Sequence, residues 1–109
     1  MPPKSSLGEF EHHVLLVALR LGDDAYTASI LLELEQRTGR DVSAAAVYIA
    51  LRRLEKSGLL KTRLKTGVER EERRERRYVR VTPAGLRILS EARRRFDRLW
   101  EGIDLLTEG

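Results

Sequence analysis

Apolar residues recur along this chain at helical spacing in four places, and between the third and the fourth the period switches to two. Residues 7–21 carry Phe10, Val14, Val17 and Leu21 along one seam. From Val14 onward Leu15, Leu16, Ala18 and Leu19 fill the other faces too, and a helix apolar nearly all round needs partners on more than one side. Gly22-Asp23-Asp24 turns the chain. Residues 27–37 then predict a second helix with Ile30, Leu31 and Leu34 inward and Ser29, Glu33 and Gln36 outward.

The third helix is marked at both ends. Ser43 is a suitable N-cap, Val42 and Val47 occupy the N′ and N4 positions of a hydrophobic staple, and Gly58 suits the C′ position. Val47, Leu51 and Leu54 share an inner face, while Ala45, Ile49, Arg52, Arg53 and Lys56 fall opposite. Alanines at 44–46 leave the first-turn amides unobstructed, where the helix dipole favours an anion.

Alternation follows over residues 59–65, with Leu60, Thr62 and Leu64 pointing one way and Lys61, Arg63 and Lys65 the other. Residues 77–81 predict the returning strand, with Val79 and Val81 inward. The intervening residues 66–76 are longer than the turns that hold a register tightly, so a tip mobile in the free protein is expected. Thr82-Pro83 is an N-cap followed by proline at N1. Leu89, Ala92, Phe96, Leu99, Ile103 and Leu106 then alternate threes and fours, the a/d spacing of a coiled-coil seam. Gly102 interrupts that seam at about 1 kcal/mol relative to alanine.

Composition narrows the classes. At 109 residues the chain holds one core, and 41% hydrophobic with 35% charged residues indicates a folded chain. Absence of cysteine removes disulfides, thiolate chemistry and the usual zinc clusters, which fits a reducing compartment. The apolar run at 14–19 is too short to cross a bilayer, and residues 1–6 lack a signal peptide's apolar stretch. No membrane is implicated, and the cytoplasm is the expected address.

Net charge is +4, but residues 61–80 carry +5 while residues 1–60 sum to −1 and residues 81–109 to zero. An electrostatic partner should therefore be anionic and meet the chain there. His12 and His13 point about 100° apart on a helix and cannot chelate one metal together. No carboxylate pair or nucleophile completes a site with them, so neither enzyme, metal nor cofactor chemistry is expected.

The expected fold is mainly α with a small β-hairpin, a winged helix-turn-helix over residues 1–82 followed by a long C-terminal dimerisation helix over 83–109. In that arrangement the third helix enters the major groove of double-stranded DNA. Ser43 and Tyr48 hydroxyls and the amides of Ala44 and Ala45 are assigned to phosphates. Arg52 has the long forked donor a guanine edge needs, and Ala45 or Ile49 suits a thymine methyl. For Tyr48 a ring packed between helices, and for Arg52 a solvated side chain, are the alternatives. Lys61, Arg63, Lys65, Arg77 and Arg80 belong to the wing, reaching backbone or minor groove. Arg73, Arg74 and Arg76 join them in a run whose glutamates partly cancel the charge. Leu89, Phe96, Leu99 and Ile103 form a homodimer seam with Phe10 and Val14 of the first helix, and Trp100 flanks it. A different class remains open, a winged-helix module whose basic hairpin binds an acidic protein partner or single-stranded nucleic acid without operator specificity. Few exposed aromatics count against the single-strand version.

Four segments also look familiar: Leu7-Gly8-Glu9-Phe10-Glu11, Leu21-Gly22-Asp23-Asp24-Ala25-Tyr26, Val47-Tyr48-x-x-Leu51-x-Arg53-Leu54-Glu55-x-x-Gly58-Leu59, and Arg77-Tyr78-x-Arg80-Val81-Thr82-Pro83-Ala84-Gly85. Together they resemble the PadR family of bacterial transcriptional regulators, in its short form with a single C-terminal helix. The resemblance implies a homodimeric repressor on an inverted-repeat operator, often near its own gene and sometimes released by a small molecule. It also implies that Ser43, Ala44, Ala45 and Tyr48 meet DNA and that Arg77 and Arg80 lie on the wing. A tryptophan on the last helix stacks with an aromatic ligand in some members, which makes Trp100 a candidate for an effector, with plain interface packing as the alternative. The chain departs in two places. Ile49 replaces a proline or small polar residue, and the first turn is all alanine where longer polar side chains are frequent.

Overall fold

The computed structural model describes residues 7–66 and 75–105. They form α1 (Glu9–Leu21), one 3-10 turn (Gly22–Asp24), α2 (Thr27–Thr38), α3 (Ala44–Lys56), strands β1 (Leu60–Thr66) and β2 (Glu75–Val81), and α4 (Pro83–Trp100). The core lies where the first three helices meet the inner face of the hairpin. Leu15, Ile30, Leu54, Val14 and Val47 are its largest fully closed side chains, each contributing about 1.5–3 kcal/mol relative to exposure. Among the described residues no polar or charged one is buried.

On α1, Val14, Leu15, Val17 and Ala18 are buried, while Leu16 and Leu19 stay exposed on the far side. This corrects the expectation that Val14 and Leu89 face a second copy. Val14 has 0% exposure and Leu89 7%, because both fill the core of their own chain. Phe10 is half-buried against the same core. Ser29, expected outward on α2, turns back to the preceding loop. Its Oγ accepts the Tyr26 N–H at 3.0 Å and donates to the Asp24 carbonyl at 2.6 Å.

α3 begins as its sequence predicts, with Ser43 Oγ accepting the Ala46 N–H at 3.0 Å. At its other end the Gly58 N–H reaches the Glu55 carbonyl and the Leu59 N–H the Leu54 carbonyl, the paired bonds of a Schellman motif. Ala50 joins Val47, Leu51 and Leu54 on the buried side.

The hairpin is antiparallel, from Leu60 opposite Val81 to Thr66 opposite Glu75. Arg76, expected in the loop, is therefore inside β2. The expected mobile tip, with Arg73 and Arg74, lies outside the described residues. A third edge comes from the chain before α2, where the Ala25 carbonyl accepts the Val79 N–H at 2.9 Å and Tyr26 bridges Tyr78. Leu64 shares the face of Leu60 and Thr62, as expected, yet is 55% exposed, farther from the hairpin's root than either.

Thr82 caps α4, its Oγ1 accepting the Gly85 N–H at 3.1 Å and donating to the Gly58 carbonyl at 2.7 Å. Gly85 passes close over the root of the hairpin. A Cβ there would collide with the Leu59 carbonyl oxygen and lie 2.7 Å from Val81 Cγ1. The helix ends at Trp100, which corrects the expected single helix over 83–109 and its seam beyond Leu99. Gly102 adopts φ 83°, and the Ile103 N–H turns back to the Trp100 carbonyl. Leu106 lies outside the described residues. Among the described residues no helix is long and apolar enough to cross a membrane, and no three His, Cys, Asp or Glu side chains gather as a metal would require.

Two outcomes follow from this packing. Helix propensity alone would make Gly85→Ala stabilising by about 1 kcal/mol; the close approach to Leu59 reverses the sign, and urea denaturation should show a loss of about 1–3 kcal/mol. His12 is partly withdrawn from water on α1, and burial first, then repulsion by His13 and Arg95, holds its imidazole below the ordinary value. The unfolded chain therefore takes up the proton more readily, and stability falls as pH drops through about 6.5. His12→Gln should flatten that part of the slope when denaturation midpoints are compared between about pH 7.5 and 5.5.

Candidate nucleic-acid interface

Burial of one side of α3 fixes what the other side presents. With Val47, Ala50, Leu51 and Leu54 inward, Ala44, Ala45, Tyr48, Ile49, Arg52 and Arg53 are left at the surface. Ser43 serves as an acceptor within its cap, and its hydroxyl proton remains available. Tyr48 and Ile49 are each close to half exposed. Arg53 diverges from its neighbours toward α1, its Nη1 lying 3.6 Å from Glu11 Oε2.

Arg52 stays on the outer side and donates from Nη1 to Tyr48 Oη at 3.0 Å. That hydrogen bond, more than the carboxylate of Glu55, shifts the guanidinium further upward from the ordinary arginine value; like any arginine it is a cation with or without that shift. The sequence pattern offered two separate residues; the fold makes them a pair.

The seven-residue register splits the hairpin into two faces. Leu60, Thr62, Leu64, Arg77, Val79 and Val81 share the side that packs on the helices, while Lys61, Arg63, Arg76, Tyr78 and Arg80 share the other. Lys65 holds the register position opposite Arg76. Arg77 is thereby separated from the other wing cations and placed beside α3. Thr27, Tyr48, Leu51, Arg52, Glu55, Thr62, Arg77 and Val79 line one cleft of about 100 Å³.

The outer face is anchored along the β2 edge. Arg76 lies 4.4 Å from the centre of the Tyr26 ring, and Tyr26 meets Tyr78 edge to face at 5.3 Å. Arg80 pairs with Asp23 of the 3-10 turn. Lys61 and Arg63 are exposed. Sequence reasoning assigned no role to Tyr26 or Glu55. The first acts through a two-residue edge strand with no periodicity of its own, and the second through a cleft that exists only once the wing folds beside α3.

Of the residues expected at a dimer seam, Phe96 is 62% and Leu99 73% exposed, and Trp100 and Ile103 are also open. Phe96, Leu99 and Trp100 occupy the last turns of α4 and Ile103 the turn that follows, and none of them lines the cleft.

A helix-turn-helix whose third helix turns a cationic side outward beside a basic β-wing is a winged-helix DNA-binding fold. The chain belongs to the transcriptional regulator PadR-like family, whose family model matches residues 15–91. Its members are DNA-binding transcription regulators and not enzymes. Among solved structures it is similar to a PadR family transcriptional regulator from Eggerthella lenta DSM 2243, at 33% identity over 87% of this chain and 80% of that one, with a TM-score of 0.67. The fold is also similar to a PadR-like transcriptional regulator from Bacillus cereus strain ATCC 14579, at 22% identity, 92% coverage of both chains and a TM-score of 0.71. A PadR family transcription regulator from Clostridium difficile R20291 shares it at 19% identity, covering 81% of this chain and 88% of that one, with a TM-score of 0.64. No curated protein matches the chain.

Proposed function

We propose that this chain is a cytoplasmic, sequence-specific repressor that binds an inverted-repeat operator as a homodimer. The observation that carries the reading is the grouping of Tyr48, Arg52 and Arg77 around one cleft on the exposed side of α3. In this reading α3 enters the major groove and Arg52 reads guanine O6 and N7. Ile49 or Ala45 meets a thymine methyl, while Ser43 and the amides of Ala44 and Ala45 hold phosphates. Lys61, Arg63, Lys65, Arg77 and Arg80 serve the wing, joined by Arg73, Arg74 and Arg76. Residues 1–82 form the DNA-binding unit and residues 83–109 the dimerising one. Phe96, Leu99, Trp100 and Ile103, with the exposed Leu16 and Leu19, supply the apolar surface for a second copy. A two-fold axis there would set the reading helices about 34 Å apart, one DNA turn. An aromatic effector stacking on Trp100 would release the operator by changing that spacing.

Selection of bound oligonucleotides from a random duplex pool should return a two-fold symmetric consensus. Affinity for it should fall by roughly three to five decades between 50 and 200 mM salt if six to ten phosphates are engaged. The double variant Lys61→Gln, Arg63→Gln should weaken every duplex alike and lower the salt slope by about 2. A shallow salt dependence with no consensus would instead favour an acidic protein partner. Against single-stranded nucleic acid stands the use of Tyr26 and Tyr78 in contacts with each other and, at Tyr26, with Arg76.

Charge placed on the free end of α4 tests assembly. Phe96→Asp with Leu99→Asp should reduce the mass in sedimentation from twice the 12.5 kDa protomer to once that value, and operator affinity should fall with it.

A further inference from the structure

Tyr48 and Arg52 stand one turn apart on α3, and a helical side chain leans toward the N-terminus, so Arg52 lies over the turn that carries Tyr48. Arg52 Nη1 donates to Tyr48 Oη at 3.0 Å, and its guanidinium carbon is 5.8 Å from the ring centre. That hydroxyl is the direct hydrogen-bond partner of an otherwise solvent-facing arginine; no ion pair engages Arg52 among the described residues. The two side chains differ in stiffness. A phenol ring has few torsions, whereas an exposed arginine samples many rotamers and must give most of them up when it reads a base. Glu55 and Arg77 line the same cleft and keep the field around the guanidinium uneven, with an anion and a second cation beside it.

We propose that Tyr48 is the positioning residue that makes Arg52 a reader of sequence. Its hydroxyl holds one nitrogen of the fork, and the rest of the fork is turned toward a guanine edge in a preset orientation. The proposal rests on the major-groove reading given above. It differs from a phosphate contact by Tyr48, which would strengthen binding to every duplex equally. Orientation of Arg52 strengthens binding only where the guanine is present.

The test uses the full chain with three duplexes: the consensus selected by the wild type, the same duplex with one G·C pair replaced at the position where Arg52→Ala relaxes preference, and a scrambled sequence. Arg52→Ala should lower discrimination at that pair by roughly 5- to 150-fold. Tyr48→Phe, which removes only an exposed hydroxyl, should lower it by about 3- to 10-fold while changing affinity for the scrambled duplex by less than about twofold. Combined with Arg52→Ala, it should lower discrimination no further. An equal loss on all three duplexes assigns Tyr48 to phosphate and overturns the proposal. So does an undiminished effect of Tyr48→Phe in the Arg52→Ala background, or a consensus whose preference survives Arg52→Ala at every pair. The last result leaves a sequence-specific regulator intact, whereas failure of the wild type to select any consensus removes that reading and this one together.

Discussion

The backbone of Leu59 is the point at which α3, both strands of the wing and α4 are tied to one another. Its carbonyl carries the link to the hairpin's far strand. It accepts the Thr82 N–H at 3.0 Å, while the Leu59 N–H closes α3 on the Leu54 carbonyl. Thr82 Oγ1 reaches the neighbouring Gly58 carbonyl, and Gly85 lets the first turn of α4 pass where any side chain would strike the Leu59 oxygen. Each such hydrogen bond contributes only about 1 kcal/mol net. Their directions matter more. They set the root of the hairpin against the end of α3, and so bring Arg77 to the cleft that Tyr48 and Arg52 line.

The remaining wing contacts orient more than they stabilise. Arg80 and Asp23 are both largely exposed, and such pairs add about 0–1 kcal/mol. The stack of Arg76 on Tyr26 is of similar size at the surface. Both lie at the edge where the chain before α2 joins the sheet, and both link the outer face to that turn. Lys61 and Arg63 take part in neither arrangement and extend the positive field outward.

Elements whose signals are local were readable from the sequence. Ser43, Gly58 and Thr82-Pro83 mark helix ends through bonds to their own neighbours, and those ends fall where expected. Alternation along residues 59–65 places the two hairpin faces correctly, Leu64 included. It says nothing of the 55% exposure of Leu64, because period two gives the side a residue faces and not whether anything covers that side. The same limit applies to α1 and α4. Periodicity groups Val14 and Leu89 with Phe96 and Leu99, but only the packed chain separates the first pair, buried within it, from the second, left outside. At Ile103 a seven-residue repeat competed with Gly102, and the glycine's left-handed turn prevailed. The pairing of Ala25 and Tyr26 with β2 had no local signal at all.

The two sides of α3 are chemically independent. Its inner residues are apolar and closed, while Ala44, Ala45 and Ile49 on the other side are exposed, so substitutions at these three fall in the class that changes stability by only about 0.5 kcal/mol. If these positions meet DNA as proposed, one gene copy can after duplication drift toward a new target there while its scaffold is inherited unaltered. Selection on binding and selection on folding would then act on different residues of a single helix.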